Sequence, residues 1–364
     1  MRILYISDAT SIHLIRWVRY MVKQDHDIVV LSVRPGRIDG AEVVYREPGD
    51  RIAPKWLRLC RHLWFIFNEW LLIKRGGFDI VHVHFLRADL IGYVATFHPG
   101  CIISVWGSDV RPVSEGGDPR RIALRRKTLE RAPAVIAINP FMEKTVRSLA
   151  PGLKDVVIVP LGVDQKFFSY KWKQGKKGEV RFCYAKLALK HLYGPDLAIK
   201  AMARVVKRFQ GARLTILGTG EDNYVDGLQA LVEKGGLQNH IDFIGRVNDI
   251  GPVLENCDVI LHPSRWEASG TVIIEAGAVG VPSIATRVGG VPDYIQDGET
   301  GIIVPPEDTD ALADAMIRLA EDEESRRRLG QNALEMVRRD WPFDVHASRM
   351  DVLYAEIASR LHNG

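Results

Sequence analysis

Short apolar runs rich in Val and Ile recur along this chain and alternate with longer amphipathic stretches. In the first half the runs fall at residues 2–7, 27–33, 41–46, 79–85, 101–107, 134–139 and 156–161. They are apolar at successive positions, so both faces are expected to be buried, as in the strands of a parallel sheet. Between them, residues 12–23, 52–74, 119–131 and 140–149 read as helices. Strand–helix alternation of this kind predicts a doubly wound α/β sheet. A charged, glycine-containing stretch, Lys171-Trp-Lys-Gln-Gly-Lys-Lys-Gly178, interrupts the pattern and reads as a linker. The alternation then restarts, with strands at 180–185, 213–218, 241–245, 258–263, 282–286 and 301–304 and a long helical tail from Asp308. Trp341-Pro342 breaks that tail, because proline cannot continue a helix.

The expected organisation is two Rossmann-like domains at residues 1–165 and 180–340, a linker at 166–179, and a helix at 341–364 that crosses back to the first domain. Two such sheets are expected to face each other across a cleft. Open α/β sheets bind ligands beyond the carboxyl ends of their strands, so the useful residues should follow strand ends.

Composition alters this picture little. Hydrophobic residues at 46% and charged residues at 26% suit an ordinary globular chain of 364 residues, long enough for two domains. The four cysteines, Cys60, Cys101, Cys183 and Cys257, form no C-x-x-C pair, which argues against a disulfide framework or zinc knuckle. The first apolar run is too short for a signal peptide, and none reaches the roughly 18–20 residues of a membrane span. A cytoplasmic protein is expected.

Charge adds one asymmetry. Residues 1–165 hold 24 Lys and Arg against 17 Asp and Glu, whereas the remainder holds 25 against 28. The first half therefore suits an anionic partner such as a phospholipid surface or a phosphorylated acceptor, or equally carries scattered solvated arginines. The basic, aromatic stretch at residues 55–75 reads first as a helix packed on the first sheet, and would also suit the inner face of an anionic membrane. No nucleic-acid partner is expected.

The densest chemical signal runs from Asp258 to Pro282 and contains His262-Pro-Ser-Arg-Trp-Glu267-Ala-Ser-Gly-Thr271-Val-Ile-Ile-Glu275. It reads as a buried strand, a short loop and a helix that begins near Ser269 or Gly270. A helix N-terminus carries about half a positive charge and is an anion site. Glu267 stands before it and Glu275 inside it. Carboxylates only accept hydrogen bonds, and sugar and ribose hydroxyls donate them.

In order along the chain, Val159-Pro-Leu-Gly-Val-Asp164, Leu217-Gly218-Thr-Gly220, Phe243-Ile-Gly245-Arg246-Val247, the Glu267/Glu275 pair, Arg287-Val-Gly-Gly290 and Asp297-Gly-x-x-Gly301 resemble the family 4 retaining glycosyltransferases. That resemblance implies the two-domain GT-B fold. It also implies transfer of a hexosyl group from a nucleoside diphosphate sugar to an acceptor hydroxyl with retention. Glu267 would then contact hydroxyls of the transferred sugar and Glu275 the ribose. Gly245, Arg246 and Val247 would meet the base, Gly218 would line the donor site, and the amides of Ser269, Gly270 and Thr271 would meet phosphate and sugar.

The family places an arginine and a lysine on the diphosphate, and Lys186 and Lys190 stand nearest those positions here. Lysine lacks the bidentate fork of arginine. No cofactor beyond the nucleotide-sugar co-substrate is implied, and no metal. Asp25-His-Asp27 has the D-x-D form of some metal-dependent transferases but reads as a turn entering a strand.

The acceptor side is less legible. Asp8 and Ser11 are expected to cap the first helix, from which His13 and Arg16 would face the cleft. Trp106-Gly-Ser108-Asp109 places a tryptophan where many relatives carry a histidine, with Asp109 as a candidate acceptor ligand or a turn residue. His82 and His84 are read as facing opposite sides of their strand, His84 being nearer the carboxyl end. The acceptor would be a glycan, a lipid-linked molecule or a small molecule. A nucleotide-sugar 2-epimerase, a sugar phosphorylase and a catalytically silent sugar-binding protein remain as alternatives. A dinucleotide-dependent dehydrogenase would require a G-x-G-x-x-G segment, which neither Ser7–Ser11 nor Gly218–Gly220 supplies.

Overall fold

The computed structural model describes residues 1–45, 55–86, 90–112 and 119–362, without the side chains at 55–63, 65 and 120. Arg46 of the expected third strand and residues 52–54 of the expected second helix lie outside the described residues. The chain divides into two compact units, Met1–Leu161 with Asp344–Gly364, and Gly162–Phe343.

In the first unit, β1 (Arg2–Ser7), β2 (Asp27–Ser32), β3 (Ala41–Tyr45), β4 (Ile80–His84), β5 (Cys101–Val105), β6 (Ala134–Ala137) and β7 (Val156–Ile158) form a parallel sheet in the order β3-β2-β1-β4-β5-β6-β7. Every residue of β4, β5 and β6 is buried, as continuous apolar runs require. The helices are α1 (Ile12–Lys23), α2 (Lys55–Arg75), α3 (Leu90–Ala95), α4 (Pro119–Arg131) and α5 (Pro140–Leu149). Ser11 caps α1 by accepting from the Leu14 amide, while Asp8 accepts from Thr10.

The second unit carries β8 (Val180–Ala188), β9 (Ala212–Thr219), β10 (Ile241–Gly245), β11 (Val259–His262), β12 (Ser283–Thr286) and β13 (Gly301–Val304), parallel in the order β10-β9-β8-β11-β12-β13. Its helices are α6 (Pro195–Arg208), α7 (Asp222–Lys234), α8 (Gly251–Glu255), α9 (Thr271–Val279), α10 (Thr309–Glu321) and α11 (Glu323–Asp340). Phe182 and Tyr184 of β8 enter one apolar cluster and Cys183 and Ala185 the other. That period of two shows a sheet covered on both faces.

Two expectations change. Residues 166–179 are not a bare linker but belong to the second unit. Phe167 is buried there, Trp172 donates its indole N–H to Asp258 at 3.0 Å, and the Trp172 amide donates to the Val279 carbonyl. Lysines and glycines made the stretch look solvated, but Phe167 is buried and Phe168, Tyr170 and Trp172 pack half-buried against the core of the second unit. The tail from Asp308 is also broken earlier than expected. Asp322 ends α10 and, through its side chain on the Ser325 amide, starts α11. Trp341 ends α11, and α12 (Phe343–His362) follows at the Trp-Pro step.

Helix α12 completes the first unit. Tyr354 is buried, with its hydroxyl 3.0 Å from Tyr5 Oη and 2.5 Å from His82 Nδ1, and His82 Nε2 is 2.7 Å from Ser104 Oγ. Helix α2 exposes Trp64 and Phe67 and buries Glu69 and Ile73. No helix among the described residues is long and apolar enough to cross a membrane.

Candidate active site

The second sheet changes direction between β8 and β11. From β8 the chain winds outward through β9 and β10, then returns to the other side of β8 at β11. Such a switch point opens a crevice at the strands' carboxyl ends. Lys186, expected after the strand, lies within the last part of β8, where pairing to β9 slips between Ala185 and Ala188. Opposite it, Gly218 holds φ at 134°, and a Cβ there would fall on the Lys186 carbonyl. Only glycine suits both demands.

The Lys186 ammonium donates to Glu267 Oε2, and its Nζ lies 4.8 Å from the centre of the Tyr193 ring. His262, the last residue of β11, places Nε2 3.2 Å from the same Glu267 oxygen. Both side chains of the ion pair are largely enclosed, at 16% and 12% exposure. Burial alone would raise the Glu267 carboxyl. The Lys186 charge and the His262 hydrogen bond outweigh it and draw the pKa down to about 2. The His262 imidazole is held below its ordinary value by burial and by Lys186, and is therefore neutral. The Glu267 backbone is fixed too, its carbonyl accepting from the Gly290 amide at 3.1 Å.

Four residues beyond Glu267, α9 begins. Gly270 is its N-cap, no side chain caps it, and its first turn carries no acid. Its positive end therefore opens beside Glu267 without a protein counter-charge in that turn. Ser269 and Thr271 are half-buried and Gly270 is buried. Glu275 is half-buried one turn further along. At the end of β10, Gly245 turns with φ at 66°, leaving Arg246 exposed and Val247 against the apolar cluster below the sheet.

Lys190 is not drawn into this group. It is exposed, two residues past β8, and its side chain makes no ion pair with a described residue. The turn that carries it is nevertheless held firmly. Arg265 forks onto Asp196 at 2.8 and 2.9 Å and donates to the His191 carbonyl at 2.6 Å, and its amide donates to the Leu192 carbonyl. His262 and Arg265 were missed as site residues although both lie inside the motif. The missing signal was their partners, since Asp196 is far away in sequence and nothing local marks His262 as a donor to Glu267.

In the first unit the corresponding switch lies between β1 and β4. Ser7 Oγ there donates to the His84 carbonyl. The His84 ring meets Trp106 at 4.4 Å, and His13 meets Trp106 from α1 at 5.1 Å. Burial, then Arg16, holds His13 down at about 4, and burial with His82, His13 and Arg16 holds His84 well below its ordinary value. Both are neutral at pH 7. Arg16 donates to the Leu161 carbonyl at 2.8 Å.

Two readings need correction here. His82 and His84, two residues apart, share one face of β4, with ring centres 5.0 Å apart. Asp109 is 1% exposed and accepts from the amides of Leu86, Trp106 and Gly107, so it braces the loop rather than reaching outward. Burial raises its carboxyl to about 6 against the pull of those amides. Ser108 beside it is exposed. Phe85, unmarked in the sequence, holds φ at 98°, a strained value for a bulky residue, where β4 ends.

Asp25 turns with φ at 58° into β2, and Asp27 pairs with Arg2. Among the described residues no three His, Cys, Asp or Glu side chains are grouped as a metal set would be.

Comparison with known proteins agrees with this arrangement. The family described as "Glycosyl transferases group 1" matches residues 166–336, and "Glycosyltransferase Family 4" matches residues 10–167. The N-acetyl-alpha-D-glucosaminyl L-malate synthase of Bacillus anthracis is 28% identical over 302 residues, 80% of this chain and 78% of the relative. Among solved structures, sucrose-phosphate synthase from Thermosynechococcus elongatus superposes with a TM-score of 0.82 at 20% identity, over 99% of this chain and 100% of that one. The Anabaena protein HepE, solved with UDP, superposes at 0.77 with 16% identity, over 98% and 100%. With both halves matched in chain order and the paired glutamates at a sheet switch point, the chain belongs to the family 4 glycosyltransferases, enzymes of the GT-B fold that transfer sugar from a nucleotide sugar.

Proposed function

We propose that this enzyme moves a hexosyl group from a nucleoside diphosphate sugar to an acceptor hydroxyl with retention at the anomeric carbon. The observation that carries the reading is the cluster of Lys186, Glu267 and the uncapped start of α9 at the β8/β11 switch. Glu267 accepts hydrogen bonds from sugar hydroxyls and Glu275 from the ribose. Gly245, Arg246 and Val247 border the base. The amides of Ser269, Gly270 and Thr271 and the ammonium of Lys186 face the diphosphate, with Lys190 adding charge from its exposed turn.

In the reaction the bond from the anomeric carbon to the diphosphate oxygen breaks. The acceptor oxygen bonds to the same face of that carbon, and the acceptor proton passes to an oxygen of the departing diphosphate. Fixed positive charge where negative charge develops is the largest catalytic contribution. No metal and no cofactor beyond the co-substrate enter this scheme. Retention is supported by the family and by the α-linked sugar in the name of the Bacillus anthracis relative. The UDP-bound neighbour makes uridine the first base to try.

The acceptor falls to the first unit, where His13, His84 and Trp106 offer neutral hydrogen-bonding and stacking groups and Arg16 a positive charge. Trp64 and Phe67, exposed on α2 in the more basic half, support peripheral contact with an anionic membrane on the cytoplasmic side. Failure to float with anionic liposomes at low salt would remove that contact.

Thermal unfolding against a panel of nucleoside diphosphate sugars tests the donor reading. A ligand at a hundred times its Kd stabilises by about 2.7 kcal/mol, which one matched donor should produce. A flat response across the panel would contradict it.

A further inference from the structure

We propose that His262 is the positioning residue for Glu267, holding its carboxylate in place when Lys186 turns from it to the leaving diphosphate. The inference rests on the donor-site reading above.

Two donors share one oxygen in the structure: Lys186 Nζ and His262 Nε2 both meet Glu267 Oε2, and neither uses Oε1. They differ in freedom. His262 is 1% exposed, ends β11 in register with Ala285, and its carbonyl lies 3.5 Å from Thr286 Oγ1. Its ring is fixed by the sheet. Lys186 reaches Glu267 on a flexible four-carbon stem whose ammonium can swing.

A carboxylate enclosed as Glu267 is pays heavily if left with no partner. Were Lys186 to carry its charge to a phosphate, His262 is the donor that stays. Its tautomer is already set for this. Nδ1 is buried without a partner among the described residues, whereas the carboxylate facing Nε2 can only accept, so the proton sits on Nε2. A neutral N–H on Oε2 keeps Glu267 ionised and leaves Oε1 to accept from the sugar.

The experiment compares His262→Asn and His262→Gln by steady-state kinetics with the sugar donor, and by titration with the nucleoside diphosphate alone. The Gln amide reaches the place of Nε2, whereas the Asn amide reaches only that of Nδ1. His262→Asn should lower kcat/KM for the donor about ten- to a hundredfold, the range for one hydrogen bond to a charged group. Affinity for the nucleoside diphosphate should stay within about twofold, since Glu267 serves the sugar, and His262→Gln should recover most of the loss. In a Glu267→Gln background the Asn substitution should have almost no further effect.

Equal losses in the Asn and Gln variants, or an Asn effect undiminished in the Glu267→Gln background, would overturn the role of His262 alone. If Glu267→Gln by itself leaves kcat/KM unchanged, the donor-site reading falls, and this inference with it. His262→Phe with an unaltered kcat/KM would overturn the inference even if both amide variants failed to fold.

Discussion

Glu267 is a carboxylate that is nearly enclosed and still ionised, because Lys186 and His262 oppose the cost of burial. Its folded pKa, about 2 against 4.5 for a free glutamate, is depressed. The stability linked to its ionisation is therefore present above about pH 4.5 and lost as pH falls toward 2. Glu267→Gln should be less stable than wild type at pH 7, and the gap should narrow as the pH is lowered through that window. Chemical denaturation at several pH values measures this, and a constant gap would contradict it. The two glutamates were legible in the sequence because they sit in one continuous motif. The Lys186 and His262 contacts were not, since one crosses 81 residues and the other depends on which way a buried ring turns. Asp109 shows the opposite limit: a carboxylate after a strand end reads as a ligand, yet backbone amides of the loops after β4 and β5 claim it.

At the scale of elements, the site depends on how β8 ends. Its strand continues past the regular register, and the Leu189 amide donates to the Thr219 carbonyl at 2.7 Å, so the β8 and β9 ends stay joined. Gly218 permits this. Gly218→Ala would place a methyl group on the Lys186 carbonyl in a left-handed backbone, and should cost about 2 kcal/mol or more. Donor affinity should fall with it. Thermal unfolding and donor titration check both, and a variant of wild-type stability would show that the strand end is softer than described. Alternating apolar runs were enough to read nearly every strand, because buried parallel strands are apolar at successive positions. They could not show the slip in β8, which is set by the glycine of its neighbour.

Across the whole molecule, two parallel sheets were readable from the restart of the strand–helix pattern, but the division was not fully so. Residues 166–179 looked like a linker by charge and are packed by Phe167 and Trp172 into the second unit. The final helix is assigned to the first unit through Tyr354, which sits between Tyr5 and His82. Tyr354→Phe removes the partner of Tyr5 Oη and of His82 Nδ1 and should destabilise the first unit by about 1–3 kcal/mol. Donor binding, which the proposed function assigns to the second unit, should persist in a titration of that variant, and its loss would place the donor elsewhere. The central claim is that Lys186 neutralises the leaving diphosphate in sugar transfer. Single-turnover release of nucleoside diphosphate by wild type and Lys186→Ala, with donor and acceptor saturating, tests it most directly. Release should slow about 100- to 1000-fold in the variant while the donor still binds, and a rate near that of wild type would contradict the account.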